Sequence, residues 1–221
     1  MSSVGHEHEF EPEYGLPEAL PAGERILWQG SPDFATMAVS VFHVRKLVAY
    51  FLALLALRVA FLQADGLAIE QIATSLLWPL CLAVVGIASV ICLAWLSART
   101  TVYTLTSQRV VMRIGIVLTL TFNLPFRSIE TADVKLDKRG YGDLAMRLQA
   151  DNRIAWLHLW PHARPWRLTR PEPTMRCLAE GQKVAEQLKQ AWSQSTGMVP
   201  LATQVPNGPS ETAPRWHPSL T

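Results

Sequence analysis

Residues 72–98 read IATSLLWPLCLAVVGIASVICLAWLSA and hold no charged side chain. An α-helix rises about 1.5 Å per residue, and about 20 apolar residues cross a hydrocarbon core about 30 Å thick. The run is longer than that, so it reads as a transmembrane helix with room for tilt. Pro79 falls in its first turns, where proline is tolerated. Toward the N-terminus, 47–62 is a second apolar run, broken only by Arg58. It is short for a bilayer, and 39–44 restores the length. Arg58 lies a turn from Leu62, so its guanidinium is expected to snorkel to the interface. The expectation is a transmembrane hairpin over 45–98, with spans at about 45–62 and 72–97. Arg45, Lys46 and Arg99 border one side, whereas the connecting loop 63–71 carries Asp65 and Glu70 and no basic residue. The positive-inside rule then puts both termini in the cytoplasm.

The composition agrees with a partly lipid-embedded chain. It is 49% hydrophobic and 17% charged over 221 residues, too apolar for a soluble domain with disordered ends. No charged n-region followed by an apolar stretch occurs in the first thirty residues, so a cleavable secretory signal is not expected. The three cysteines, Cys81, Cys92 and Cys177, form no CxxC pair. Cys81 and Cys92 on one helix would stand roughly 16 Å apart, beyond disulfide reach. The sequence therefore supports neither a disulfide framework nor a zinc site. The formal net charge of +2 hides an asymmetry: 1–44 has Arg25 against seven acidic residues, while 99–192 has fifteen basic against eight acidic.

Residues 1–22 are acidic, punctuated by Pro12, Pro17 and Pro21, and read as a flexible arm. After the arm, GERILWQGSPD (23–33) holds a short apolar run, expected as a strand or turn; 23–44 forms a pre-membrane segment docking on the cytoplasmic domain. The stretch 114–126 could pass for a third span, but it is too short, and Ile116, Val117, Thr119 and Thr121 favour strand over helix. Short strands are expected at 102–106, 109–114, 129–136, 144–148 and 154–160, with a hairpin turn at Ser107 and Gln108. An amphipathic helix is expected next, over 174–192, with Leu178, Val184, Ala185, Leu188 and Trp192 as its stripe. Strands ending in one helix point to a small, partly open antiparallel β-barrel capped by that helix, over 99–192. The proline-rich 193–221 reads as a disordered tail. The expected fold class is α+β: a two-helix transmembrane hairpin plus this barrel.

No Gly-rich phosphate loop, HExxH or GxSxG appears, which counts against an enzyme. His6 and His8 flank Glu7 in the arm and could bind a metal ion, but read as solvated side chains. His43 precedes Arg45 at the membrane edge; it is either an interfacial polar residue or an imidazole able to ligate the magnesium of a chlorin. The segment LHLWPHARPW (157–166) concentrates Trp160, His162, Arg164 and Trp166. Either Trp160 is a core residue in a rigid loop, or the four side chains form a docking or membrane-surface patch, since rigid aromatics and Arg favour binding hot spots and bilayer interfaces. The basic excess suits a domain tethered near anionic lipid. Its scattered arginines argue against nucleic acid. Gly86, Ser89 and Cys92 offer a small-residue face for helix packing, against the partner span or in a homodimer.

Four blocks carry a family resemblance: GERILWQGSPD, TVYTLTSQRVVMRIG (101–115), NLPFRSIETADV (123–134) and LWPHARPW. The second and third resemble a bacterial pleckstrin-homology-like (PH-like) domain attached to membrane helices. All four together resemble the PuhB-type photosynthetic reaction-centre assembly proteins of purple bacteria, over roughly 11–192. The resemblance implies a non-enzymatic assembly factor in the inner or intracytoplasmic membrane. It would act beside the reaction-centre H subunit and the core light-harvesting polypeptides, with no resident cofactor and at most transient bacteriochlorophyll. Some members of that family have been described with three spans, against the two counted here. A bacteriochlorophyll carrier using His43 and a generic membrane-tethered lipid-binding module are the alternatives.

Overall fold

A computed structural model describes residues 15–149 and 154–197; the greater part of the acidic arm, with His6 and His8, and most of the proline-rich tail lie outside them. The apolar run of the first block forms β1 (Ile26–Gly30), an edge strand antiparallel to β2 (Val102–Thr106). The next element was not expected from the sequence: a helix, α1 (Phe34–Ser40), whose N-cap Asp33 accepts a hydrogen bond from the Thr36 amide at 2.8 Å. Two long helices come next, α2 (Val44–Ala64) and α3 (Ile69–Thr100). Their windows of highest hydropathy are 0% and 6% buried within the chain, so the apolar side chains face outward. A core helix of a water-soluble domain would bury that surface. By length and composition both could cross a membrane.

The remaining strands are β3 (Arg109–Ile114), β4 (Leu120–Pro125), β5 (Ile129–Leu136), β6 (Gly142–Leu148) and β7 (Thr174–Leu178). The stretch 114–126 thus becomes the end of β3, a loop, β4 and the start of a 3-10 turn, and no third long apolar helix occurs among the described residues. Pairing is antiparallel throughout, in a four-stranded sheet ordered β1-β2-β3-β4 and a three-stranded sheet ordered β5-β6-β7. No pairing between these two sheets occurs among the described residues, so the expected barrel is replaced by two separate sheets. Between them lies a core of Tyr103, Leu105, Met112, Phe126, Leu144, Met146 and Met175. Each large apolar side chain buried there contributes about 1.5–3 kcal/mol.

Two further sequence expectations are corrected. The strand expected over 154–160 is a single helical turn, α4 (Trp156–Leu159). Its Trp156 and Leu159, three apart, both reach the core, and Pro161 has no N–H to continue a ladder. The helix expected over 174–192 begins later, as α5 (Gly181–Thr196), because 174–178 is taken by β7. All five β7 residues are buried against β6 and its surroundings, a demand that outweighs their helical spacing. Gly142 and Gly181 permit the junction: a Cβ on Gly181 would lie 2.4 Å from the Gly142 Cα. Val184, Leu188 and Trp192 of the expected stripe pack into the core from α5. A satellite cluster of Met37, Ala98 and Cys177 ties α1 and the end of α3 to β7.

Candidate functional site

The loop 160–173 is built around a carboxylate. Glu172, whose side chain is 3% exposed, accepts from Arg147 Nε at 3.1 Å and Arg164 Nη1 at 2.8 Å. Arg164 also reaches Asp133 Oδ2 at 2.6 Å, and these two carboxylates raise its already high pKa. A bridge between Ala163 and Pro173 closes the base of the loop. Glu172 was not singled out in the sequence, although it is the only carboxylate among Arg164, Arg167, Arg170 and Arg176. A lone acid in such a run is the natural partner once the segment is buried.

His162 is 1% exposed and faces inward. Its Nε2 lies 3.1 Å from Thr101 Oγ1 and its Nδ1 2.6 Å from Tyr103 Oη; because Thr101 gives its own proton to the Ser97 carbonyl at 2.7 Å, Nε2 carries the imidazole proton and Nδ1 accepts from Tyr103. The Arg176 amide in turn donates to Tyr103 Oη at 3.2 Å. Every polar atom of the imidazole is thus occupied, and the network joins the last turn of α3 to β2, β7 and the loop. Burial, helped by the Arg176 charge, lowers the His162 pKa to about 3, and burial pushes the Tyr103 hydroxyl far above its usual value. The structure thus places His162 inside the domain, apart from Trp160, Arg164 and Trp166, with which the sequence grouped it.

Those three are presented outward. Trp160 is 45% exposed and meets Phe42 edge-on with centroids 5.8 Å apart, which leans the loop on the α1–α2 junction. Trp166 is 95% exposed, with a positive φ of 65°. Both tryptophans and Arg164 line one cleft of about 870 Å³. Its opposite wall is Ser40, Val41 and His43 at the α1–α2 junction; its floor is Asp133, Lys135, Asp143 and Arg176 from the second sheet, with Trp156 beside them. His43, in the left-handed region at φ 53°, is exposed there. Four of the five residues expected from the sequence are thus brought together. The floor was not foreseen, because β5, β6 and β7 supply it from distant parts of the chain. Its charges are mixed, with Arg176 pairing to Asp143 at 3.3 Å. No single sign of charge dominates the floor, and Trp160 and Trp166 stand exposed beside it. Among the described residues, no three His, Cys, Asp or Glu side chains converge as a metal would need.

The bacterial PH domain family matches residues 39–192, a span that takes in both long helices, six strands and most of α5. The chain belongs to that family. It is also 39% identical over 187 residues to the uncharacterized 23.7 kDa protein in the puhA 5′ region of Rhodobacter capsulatus, covering 84% of this chain and 87% of that one. The PuhB-type resemblance read from the four blocks is supported on both counts. No solved structure matches.

Proposed function

We propose that this bacterial PH domain protein is a non-enzymatic assembly factor for the photosynthetic reaction centre and core light-harvesting complex of a purple bacterium. It acts as a scaffold held in the inner or intracytoplasmic membrane by α2 and α3, with both termini cytoplasmic. The observation that carries the reading is the cleft at the foot of α2, walled by Trp156, Trp160 and Trp166. Rigid aromatics beside paired charges make a docking surface without turnover. Its position beside the entry of α2 suits a partner that is itself membrane-bound, and the relative's place beside puhA agrees. The reaction-centre H subunit is the first partner proposed, with light-harvesting polypeptides, membrane lipid and a second copy of the chain as further contacts. Affinity purification of a tagged form from mildly solubilised photosynthetic membranes tests this. Reaction-centre subunits are expected in substoichiometric amounts, and their loss on W160A/W166A assigns the contact to the cleft. Recovery of lipid alone would contradict the scaffold reading and favour a lipid-binding module.

A second reading rests on His43, whose exposed imidazole lines the same cleft as three tryptophans. Such a wall could receive bacteriochlorophyll in transit to nascent subunits. Chlorin absorbance that stays with the protein after subunits are removed, and disappears in His43→Ala, would support it. Protein that never carries that absorbance, even from pigment-producing cells, would remove it.

A further inference from the structure

We propose that the β3–β4 loop, 115–119, is a second lipid contact, resting in the headgroup boundary beside the point where α3 leaves the bilayer. The inference rests on the membrane-spanning reading of α2 and α3. Val117 and Leu118 are 91% and 80% exposed, and Leu120, which opens β4, is partly so. Turns that meet water are normally built from polar and turn-forming residues. The other two hairpin turns obey this, with Ser107 and Gln108 in one and DKRGY (137–141) in the other. Of these three hairpin turns, only the β3–β4 turn places aliphatic side chains at its tip.

The register says where that tip lies. Val102, two residues beyond the end of α3, pairs with Arg113, and β3 packs against α3. The end of β3 is therefore level with the end of the helix. The Ser107–Gln108 turn stands at the opposite end of the same hairpin, about 15 Å away at the rise of a strand. Continuing past Ile114, a tip two residues farther on reaches about 7 Å, a distance α3 covers in about five residues. A tip that runs back along α3 by that length comes level with the turn bearing Trp95 and Arg99, where the guanidinium lies 5.3 Å from the indole centroid. An exposed Trp with an Arg in the last turns of an apolar helix is the pairing found at membrane–water interfaces. Gly115 keeps the tip folded tightly outward: at φ +125° a Cβ would lie 2.1 Å from the Leu118 carbonyl oxygen. The exposed apolar tip and the exposed apolar side chains of α3 thus stand at the same end of the folded domain, and lipid is the occupant that reaches both.

Site-directed spin labelling of the full chain in phosphatidylcholine/phosphatidylglycerol nanodiscs tests the inference. Cys81 and Cys92 are replaced by Ala and the buried Cys177 is kept; single cysteines are introduced as Leu118→Cys, Ser107→Cys and Val85→Cys. Collision with oxygen reports lipid, and collision with a water-soluble nickel chelate reports water. At 118 the nickel collision rate is expected to fall several-fold below that at 107, with oxygen access retained and a depth shallower than at 85. Nickel access at 118 equal to that at 107 would overturn the inference, as would protection from both reagents, which marks packing against protein. Nickel access at 85 would instead overturn the spanning reading on which the inference rests, so the two failures are distinguished.

Discussion

Glu24 and His162 each lock a segment that the sheets alone would leave loose. The Glu24 carboxylate accepts from Arg109 Nε at 2.8 Å, Arg109 Nη2 at 3.0 Å and Thr106 Oγ1 at 2.6 Å, pinning the start of β1 to the β2–β3 hairpin. Removing it takes both carboxylate bonds from the partly buried Arg109 guanidinium, so Glu24→Ala is expected to cost about 2–3 kcal/mol in chemical unfolding of the detergent-solubilised protein. A loss within a few tenths of a kcal/mol would show that β1 is held by its ladder alone. His162 makes stability depend on pH. Its folded-state pKa is lowered to about 3 from an ordinary 6.5, so between these values the unfolded chain binds a proton that the folded chain refuses. Its contribution is complete above pH 6.5 and is lost as pH falls toward 3, at about 1.4 kcal/mol per pH unit. From pH 7 to pH 5 the loss is about 2 kcal/mol. His162→Gln cannot take that proton, and its stability should fall less steeply over this interval; an unchanged slope would place the pH dependence elsewhere.

Elements differ in how plainly they stand in the sequence. The two long helices are legible because their signal is local: 72–98 is an uncharged run of sufficient length, and 47–62 is an apolar run broken only by Arg58. The same holds for β2, β3 and β5, whose apolar patterns are bounded by turn residues and agree with the structure. Misreadings fall where distant partners decide. Residues 174–178 fit a helical stripe as well as a strand, and β6 settles the choice by pairing with them. The α4 turn and the loop after it take their shape from Glu172 and His162, whose partners lie up to 65 residues away. The aromatic side of the site was readable from LHLWPHARPW, whereas its floor and the inward turn of His162 required the tertiary fold. The helices carry their own test. Cys81 and Cys92 are exposed on α3, while Cys177 is buried with its thiol pKa pushed up to about 11. If α3 spans the bilayer, a charged maleimide should label none of the three in membranes, with lipid over the first two and protein over the third. In mild detergent Cys177 should stay unlabelled. Labelling of Cys81 in intact membranes would contradict the bilayer location of α3.

At the scale of the molecule, the apolar helices and the folded domain are one object. Met37, Ala98 and Cys177 form one joint between them, and the network from Ser97 through His162 to Arg176 forms another. A scaffold needs this stiffness. A partner held in the cleft keeps a set orientation to the membrane only if the cleft does not swing on the helices. In the proposed role, the cleft presents a partly built photosynthetic complex with a docking surface. Reaction-centre yield, read from the near-infrared absorbance of membranes, tests that role in a strain lacking the gene and complemented with wild type or with W160A/W166A. Both tryptophans are exposed, so the variant should accumulate normally. A docking cleft predicts a reaction-centre yield well below wild type at equal protein level; an undiminished yield from a fully accumulated variant would contradict it.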